Sequence, residues 1–539
     1  MNLTESAPVI EYDSQNNLVM GLDRTFVLGG TGSQFPSNVW LEKYDQNGNL
    51  LWTLSSNITN QQFDSQFIDV TVDDQDNIYI AGLYLGPNFT LGGKTINGFS
   101  NNGTDFFIAK VSSSGNVVWL KGVDSSLSHD SRRFVNSITA TPDGHLLISG
   151  QHYRDFYFGG VNFEGDSTVP YINNNYVPVM FYAKLNADGA VLWHHRALNR
   201  HSGQWNSGNG FGKLFQSENG FIYGTFAADS SIVFPNDTII TTPQSGLPDS
   251  EGIVRLSPNG ELLDWKFLSS NWGMVKVLRL DNCGNPVIMG IYNTSLTIDS
   301  LSINAQTSFD VFVTKMDANL NPIWLKSHGS DQPQLGQGLA INDRNDVFIA
   351  YDFWGNLSYN NQTFSPSAVE SVVVKLDSSG NYVWHNHTEG SGASIQARNL
   401  AIAPNNKLTL VAYYNGTKSI DNQSVSNGTT SDLMVATFND TTHPGVPAGC
   451  NSGIGQFEHG RSNLLNVYPN PADDQLHIGL PEDVTKAINE VSIYNLHGKL
   501  LLNTAMEVGR ELTIDISSLS SGTYILCAGD EIRVKFVKF

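Results

Sequence analysis

One pattern returns along the chain and limits what it can fold into. It is an alternating apolar strand carrying a Lys, a short polar turn, and a second strand ending on a Trp. Asp105–Trp119, DFFIAKVSSSGNVVW, is the clearest copy. NVWLEKYDQNGNLLW (Asn38–Trp52), FYAKLNADGAVLW (Phe181–Trp193), VFVTKMDANLNPIW (Val311–Trp324) and VVVKLDSSGNYVW (Val372–Trp384) repeat it. IVRLSPNGELLDW (Ile253–Trp265) is a weaker copy with Arg255 in place of the Lys, and LMVATFND at Leu433–Asp440 stops before any Trp. Self-similarity of this kind means one supersecondary unit that buries its apolar face only by stacking on its neighbours.

A second motif precedes each copy. DQDNIYIAG (Asp74–Gly82), PDGHLLISG (Pro142–Gly150), ENGFIYGT (Glu218–Thr225), DNCGNPVIMG (Asp281–Gly290), DRNDVFIA (Asp343–Ala350) and PNNKLTLVA (Pro404–Ala412) each read as a turn and a short β-rich run. Another alternating run lies before the turn, as in FIDVTV from Phe67. One unit is therefore four short strands. Between the second and third lies an excursion such as LGGKTI at Leu91 or FGGVNF at Phe158, with the residues of a tight hairpin turn. The markers Lys43, Lys110, Lys184, Arg255, Lys315, Lys375 and Thr437 are 60 to 74 residues apart, with no helical periodicity between them. The expectation is an all-β fold: a seven-bladed β-propeller of four-stranded blades over residues 1–441. The last unit lacks its fourth strand, and Pro8–Tyr12 is a spare apolar run. The expected closure pairs that run beside Leu433–Phe438, removing an open edge.

The formal charge of −21 argues against nucleic acid and anionic membrane as partners. Cys283, Cys450 and Cys527 form neither a disulfide framework nor a zinc cluster and read as buried or idle thiols. No apolar run is long enough to span a bilayer. MNLTESAPVIEYD lacks the basic and apolar regions of a signal peptide, so the expectation is a truncated or processed start.

Residues 442–463, rich in Gly, Pro and Ser, read as a flexible linker, and residues 464–539 as a small Ig-like β-sandwich. Leu512, Ile514 and Ile516 alternate with polar residues as a half-buried strand should. The tail carries Tyr468-Pro469-Asn470-Pro471 with Asp474, Leu476 and Ile478. Val491–Gly498, Leu519–Tyr524 with Gly522, and a basic, apolar end with Lys535 and Lys538 follow. These residues resemble the type A C-terminal sorting domain of the type IX secretion system of Bacteroidota. The resemblance implies export, with the type IX machinery as partner, and a secreted or surface-attached product from which the tail is usually clipped. The repeats resemble the SBBP-like β-propeller repeats of bacterial secreted and surface proteins, which implies fold and location but no fixed activity.

The recurring Trp residues occupy equivalent positions and read as packing between units, although they also resemble the docking tryptophans of quinoprotein propellers. No cofactor and no metal are expected. Asp73–Asn77 has oxygens enough for calcium, but turn chemistry explains it. His194-His195 and His385-x-His387 read as solvated edge histidines. No catalytic constellation can be singled out. The joins between successive units differ most in sequence, and they carry aromatic and fixed polar groups. His129, Asp130, Arg200, His201, His328, Asp331 and Glu389 lie there, and the candidate ligand site is Arg132, Arg133, Trp205 and Trp272. The leading function is a non-catalytic binding or scaffold module for a glycan or a surface protein. The alternative is a lyase or glycoside hydrolase using the propeller channel, which a buried, paired carboxylate or histidine at the channel mouth would favour.

Overall fold

The computed structural model describes residues 7–25, 37–56, 65–98, 104–124, 132–165, 179–200, 210–228, 231–235, 238–240, 250–306, 309–332, 334–359, 362–391, 395–421, 423–426, 432–440, 466–468, 472–479, 490–495, 500–505, 511–520, 522–528 and 532–538. Every regular element among them is a β-strand. The chain divides into two compact units, Met1–Ala448 and Gly449–Phe539.

In the first unit, antiparallel sheets follow one another in chain order. The first is Val9–Tyr12, Leu18–Thr25, Ser37–Tyr44 and Leu50–Ser55. The second is Ser65–Val72, Ile78–Leu85, Thr104–Val111 and Val117–Gly122, and the third is Arg133–Ala140, Leu146–His152, Val179–Leu185 and Val191–Arg200. The fourth is Gly210–Gln216, Ile222–Ala228, Ser250–Leu256 and Leu262–Phe267, and the fifth is Ser269–Leu280, Pro286–Ile298, Asp310–Met316 and Pro322–His328. The sixth is Leu335–Ile341, Val347–Phe353, Glu370–Leu376 and Tyr382–His387. The seventh has three strands, Ile395–Ile402, Lys407–Tyr414 and Asp432–Asn439. In the second to seventh sheets the excursion after the second strand forms a hairpin, such as Asn88–Leu91 with Lys94–Asn97.

Local chemistry sets the turns. In Asp73–Asn77, one carboxylate oxygen of Asp73 accepts the N–H groups of Gln75 and Asn77, and the side-chain amide of Asn77 donates back to Asp73. The same bonds recur at Asp45, Asp281, Asp317 and Asp377. These carboxylates are occupied by the turn itself, an Asx arrangement that favours Asp at its first position.

The repeated Lys is a staple. From the third strand of its sheet it reaches the turn between the first two: Lys43 to Asp13 at 2.8 Å, Lys184 to Asp143 at 2.5 Å and Lys315 to Asp281 at 2.7 Å. Lys375 holds both Asp346, at 2.8 Å, and Asp440, at 2.6 Å. These ammonium groups are buried, and the paired carboxylate offsets the cost of leaving water.

The repeated Trp joins neighbouring sheets. The indole N–H of Trp52 donates to Ser113 O, that of Trp119 to Ala187 O, that of Trp193 to Pro258 O and that of Trp324 to Ser378 O. Each acceptor is the second residue of the turn before the next sheet's fourth strand. Gly115 in that turn has φ +87°, and a Cβ there would lie 2.8 Å from the Trp52 ring. Only Gly both adopts this conformation and leaves room for the indole.

Apolar clusters fill the spaces between consecutive sheets: first and second, second and third, third and fourth, fourth and fifth, fifth and sixth, and sixth and seventh. A further cluster joins Ile10, Leu18, Met20 and Leu22 of the first sheet to Ala401 and Val411 of the seventh. The first strands of consecutive sheets are neighbours, and Ile395–Ile402 lies against Val9–Tyr12. The series thus returns on itself.

The closure differs from the expected one. Val9–Tyr12 pairs with Leu18–Thr25 inside the first sheet, not with Leu433–Phe438. The reason is local: Asp13–Asn17 is another of the Asp turns, with Asp13 accepting from Gln15 and Asn17, and it folds the run straight back. Cys283 also departs from expectation, because it is disulfide-bonded rather than idle.

In the second unit, Asn466–Tyr468, Gln475–Gly479 and Glu511–Asp515 form one sheet. Leu500–Ala505, Glu490–Asn495, Gly522–Ala528 and Ile532–Lys538 form another. They share a core of Leu476, Ile478, Val491, Ile493, Ile514 and Leu526 with Ala472 and Tyr524.

Candidate functional site

Of the residues nominated from sequence as the ligand site, Arg132 and Arg133 are described with their side chains. Arg132 is exposed. Arg133 is 1% exposed, and its guanidinium donates to Asp105 at 2.8 Å. It therefore ties the third sheet to the second and is no ligand group: a buried cation needs its carboxylate. Trp205, His129, Asp130 and His201 lie outside the described residues, as do the side chains of Arg200 and Trp272.

The histidines are packed rather than solvated. His194 lies against Phe163 with ring centroids 4.4 Å apart, and a ring nitrogen of His195 is 2.7 Å from Asn259 O. His385 shares a hydrogen bond with Tyr382, and His387 lies 3.3 Å from Glu389. His328 is enclosed and bonded to the Tyr359 hydroxyl, and burial pushes its pKa down to about 4, so it is neutral near pH 7. Asp331 binds the backbone and side chain of Asn356. No group of three ligating side chains able to hold a metal ion occurs among the described residues.

A different set shares one structural position in the first unit. In each of six first strands the pairing register skips once shortly before the turn, and that of the fifth sheet skips again between Ser270 and Trp272. The residues skipped before the turn are Ile68, Asn136, Gly212 with Lys213, Lys276, Gln337 and Arg398. A β-bulge of this kind ejects its extra residue from the ladder and re-aims the side chain. The first strand is an edge of its sheet and lies beside the first strands of the adjacent sheets. The bulges therefore lie on strands that neighbour one another from sheet to sheet. Lys213 of the fourth sheet shows this, since its ammonium reaches Asp69 of the second sheet at 2.9 Å, past the third. Asn136 donates to Phe211 O of the next strand at 3.1 Å.

Sequence reasoning missed this set, yet a signal exists. Each bulge falls five residues before the start of its turn, from Ile68 to Asp73, Asn136 to Thr141, Lys276 to Asp281, Gln337 to Asn342 and Arg398 to Ala403. The alternation breaks there, at a constant distance from a recognisable turn.

Carboxylates brace the bulges. Asp23 accepts from Phe67 N–H at 2.5 Å and Asp352 from Ala397 N–H at 2.7 Å, while Glu251 accepts from Val275 N–H. Each donor is the residue just before a bulge. Burial raises the pKa of Asp352 to about 7, opposed by its bonds from Ser371 and Ala397 and by the charge of Arg398. Burial raises Glu251 to about 7 as well.

In the second unit, the Tyr524 hydroxyl donates to Ser520 O at 2.5 Å, and Lys538 donates to Asp473 O and reaches Asp474 at 3.2 Å. Tyr468 is 46% exposed and stacks on His477. Gly522 opens the strand that carries Tyr524. Pro469, Asn470, Pro471 and Gly498, and the side chain of Lys535, lie outside the described residues.

Residues 466–539 match the family model of the secretion system C-terminal sorting domain. Such a domain goes with handling by the secretion machinery and with a secreted or surface-attached product. No helix among the described residues is long and apolar enough to cross a membrane. A curated relative is an uncharacterised WD repeat-containing protein of Acanthamoeba polyphaga mimivirus, 21% identical over 86% of this chain. The alignment takes in 37% of that protein, so the chain spans little more than a third of its relative's length. Among solved structures, the chain is similar to a protein of unknown function from Dyadobacter fermentans, with 12% identity, a TM-score of 0.35, and coverage of 80% of this chain and 94% of the other. It is also similar to the polysaccharide lyase Uly1, with 10% identity, a TM-score of 0.40, and coverage of 80% and 89%.

Proposed function

We propose, with the sorting domain at residues 466–539 as premise, that the chain is an exported binding or scaffold protein of the Bacteroidota cell surface or surroundings. In this reading residues 1–441 are a seven-bladed β-propeller, residues 442–463 a linker, and residues 464–539 an Ig-like β-sandwich handled by the type IX machinery. Support for the blade count comes from the run of meander sheets and from the apolar cluster that joins the last sheet to the first. Support for the sandwich is the single core shared by the two sheets of the tail.

The propeller presents its ligand, a glycan or a surface protein, with a binding surface rather than a catalytic pair. The two carboxylates raised to about 7, Asp352 and Glu251, each hold a backbone N–H beside a bulge. A lyase or glycoside hydrolase acting through the channel needs a carboxylate free to meet substrate.

Export of the full chain from a type IX-competent host, compared with a chain lacking residues 466–539, tests the reading. The full chain is expected outside the cell, and loss of the tail is expected to keep it inside; equal export of both overturns the premise. Mass spectrometry of the exported form is expected to lack peptides beyond 442–463, and stoichiometric recovery of Tyr524–Arg533 counts against removal of the tail. Glycan and surface-protein arrays probed with the exported chain then test binding.

A further inference from the structure

We propose that the outer edge of the seventh sheet is a docking site for an extended strand of a partner protein, one that carries a Trp with a basic residue just beyond it. The inference deepens the binding role proposed above and rests on it.

One position compared along the series is the first argument. Two residues before the staple position, Leu41, Ile108, Tyr182, Ile253, Val313 and Val373 are all 0% exposed. Each lies in the apolar cluster shared with the next sheet, and Tyr182 meets the fourth-strand Trp193 edge-on, with ring centroids 6.2 Å apart. The seventh-sheet residue at that position, Val435, is 42% exposed. Among the described residues no strand pairs with the outer edge of Asp432–Asn439, so a row of backbone N–H and C=O groups stands beside an exposed apolar side chain.

The second argument is the cradle for the indole. In the interior, the rings of Trp52, Trp119, Trp193 and Trp324 lie 2.7 to 2.9 Å from where a Cβ would stand on Gly115, Gly189, Gly260 and Gly380 of the next sheet. Gly48 holds that position in the first sheet, with φ +83°, and nothing lies within 4 Å of its Cβ place. The edge and the cradle are one place. Lys407 pairs with Asn439 at the end of the open strand, and its ammonium reaches Gln46 O, two residues before Gly48, at 2.6 Å.

The first six sheets describe the occupant. A strand antiparallel to Asp432–Asn439 supplies the ladder, and an indole supplies the ring over Gly48. In the interior, Lys121 and Lys326, two residues past their Trp, pass over the same turns. Here that turn opens with the carboxylate of Asp45, and the chain carries 51 acidic residues against 30 basic, so a basic residue is favoured at that place again. The chain's own continuation is a poor donor. All ten Trp residues lie at or before Trp384. The stretch after Asp440 carries Pro444 and Pro447, three apart, so in a strand one of the two would face the ladder without an N–H.

Isothermal titration of the full chain with a capped synthetic peptide of its own second-sheet fourth strand, SGNVVWLKG (Ser114–Gly122), tests the site. Saturable binding of one peptide per chain is expected. Replacing the Trp of the peptide by Ala is expected to weaken binding roughly tenfold or more, since the indole supplies both the ring contact and the N–H bond. Val435→Glu in the chain is expected to do the same, because the added strand would bury its charge. Val118→Glu, on the exposed bulge of another fourth strand, is expected to bind as the parent does. No binding up to roughly 1 mM overturns the proposal, as does undiminished binding by V435E with a parental melting temperature. If V435E does not fold, G48A decides by the same criterion, since its Cβ takes the place of the indole. A dimer that V435E dissociates in sedimentation assigns the edge to a second copy and overturns the partner strand. So does slow exchange of the outward-facing amides of Asp432–Asn439 without peptide, which assigns the edge to the chain's own residues. A signal on the surface-protein array without peptide binding overturns the edge site and leaves the binding role standing. Peptide binding with a blank array supports the edge site and removes the array ligands from the binding role.

Discussion

The seam between the seventh and first sheets and the interfaces between consecutive sheets do the same job with different parts. Inside the series, the buried apolar clusters contain 11 to 16 residues among those described; the seam cluster contains six. Inside the series, the second residue of the fourth-strand turn accepts from an indole, or from Tyr223 in the case of Ala318. At the seam the same turn position, Gln46 O, accepts from the Lys407 ammonium at 2.6 Å. Tyr12 and Thr409 share a hydrogen bond of 2.5 Å, and Asn405 N–H donates to Asn16. Polar contacts thus stand at the seam, where the described part of the seventh sheet has no fourth strand to dock a Trp. Closing a ring does not require a shared strand; complementary faces suffice.

Five substitutions test that contrast. Lys375→Met strands Asp346 and Asp440 without their cation, and a loss of about 3–5 kcal/mol is expected in chemical denaturation. A loss below 1 kcal/mol would remove the staple from the account of the fold.

Ile148→Ala, in the cluster between the second and third sheets, is expected to cost roughly 2–5 kcal/mol. Ile10→Ala, at the seam, is expected to fall at or below the bottom of that range, because its cluster is smaller and collapses more easily. If Ile10→Ala costs more than Ile148→Ala, the seam is no weaker than the interior.

Asp352 links the sixth sheet to the seventh, and its folded pKa of about 7 lies above the ordinary 3.8. The folded state therefore keeps the proton longer than the unfolded one. The contribution of this group is full below pH 4 and is lost as pH rises through 7. Relative to the parent, D352N is expected to gain roughly 1–3 kcal/mol between pH 5 and pH 8. A difference that does not change with pH would show that Asp352 is ionised throughout.

Tyr12→Phe removes only the hydroxyl shared with Thr409, and about 1 kcal/mol is expected. Because Tyr12 belongs to the seam, a cost above that of Ile148→Ala would invert the comparison.

The interior interfaces were legible because they repeat. Lys, turn Gly and Trp keep their spacing, so the strand order and the packing role of Trp52, Trp119, Trp193 and Trp324 could be read from one chain. The seam occurs once and uses Tyr12 and Lys407, which match nothing else in the repeat, while its Asn405–Asn16 bond repeats the turn contacts of Ser14 with Asp76 and Asn282 with Asn345. Pro8–Tyr12 was misplaced because its turn, Asp13–Asn17, was not recognised as a copy of Asp73–Asn77. The bulges were hidden for another reason: a skipped residue is a backbone event, visible only as a lapse in alternation. Arg133 shows the limit of reading function from composition, since an Arg in a variable join can be spent on a buried Asp105.

The seam also sets an order of events. Tyr12 meets Thr409, and Asn16 meets Asn405, across 397 and 389 residues of chain. Each interior interface can form as soon as two consecutive repeats have been made, but the inner face of the first sheet must wait for the seventh. Long loops close slowly, and until then Ile10, Met20 and Leu22 stand uncovered.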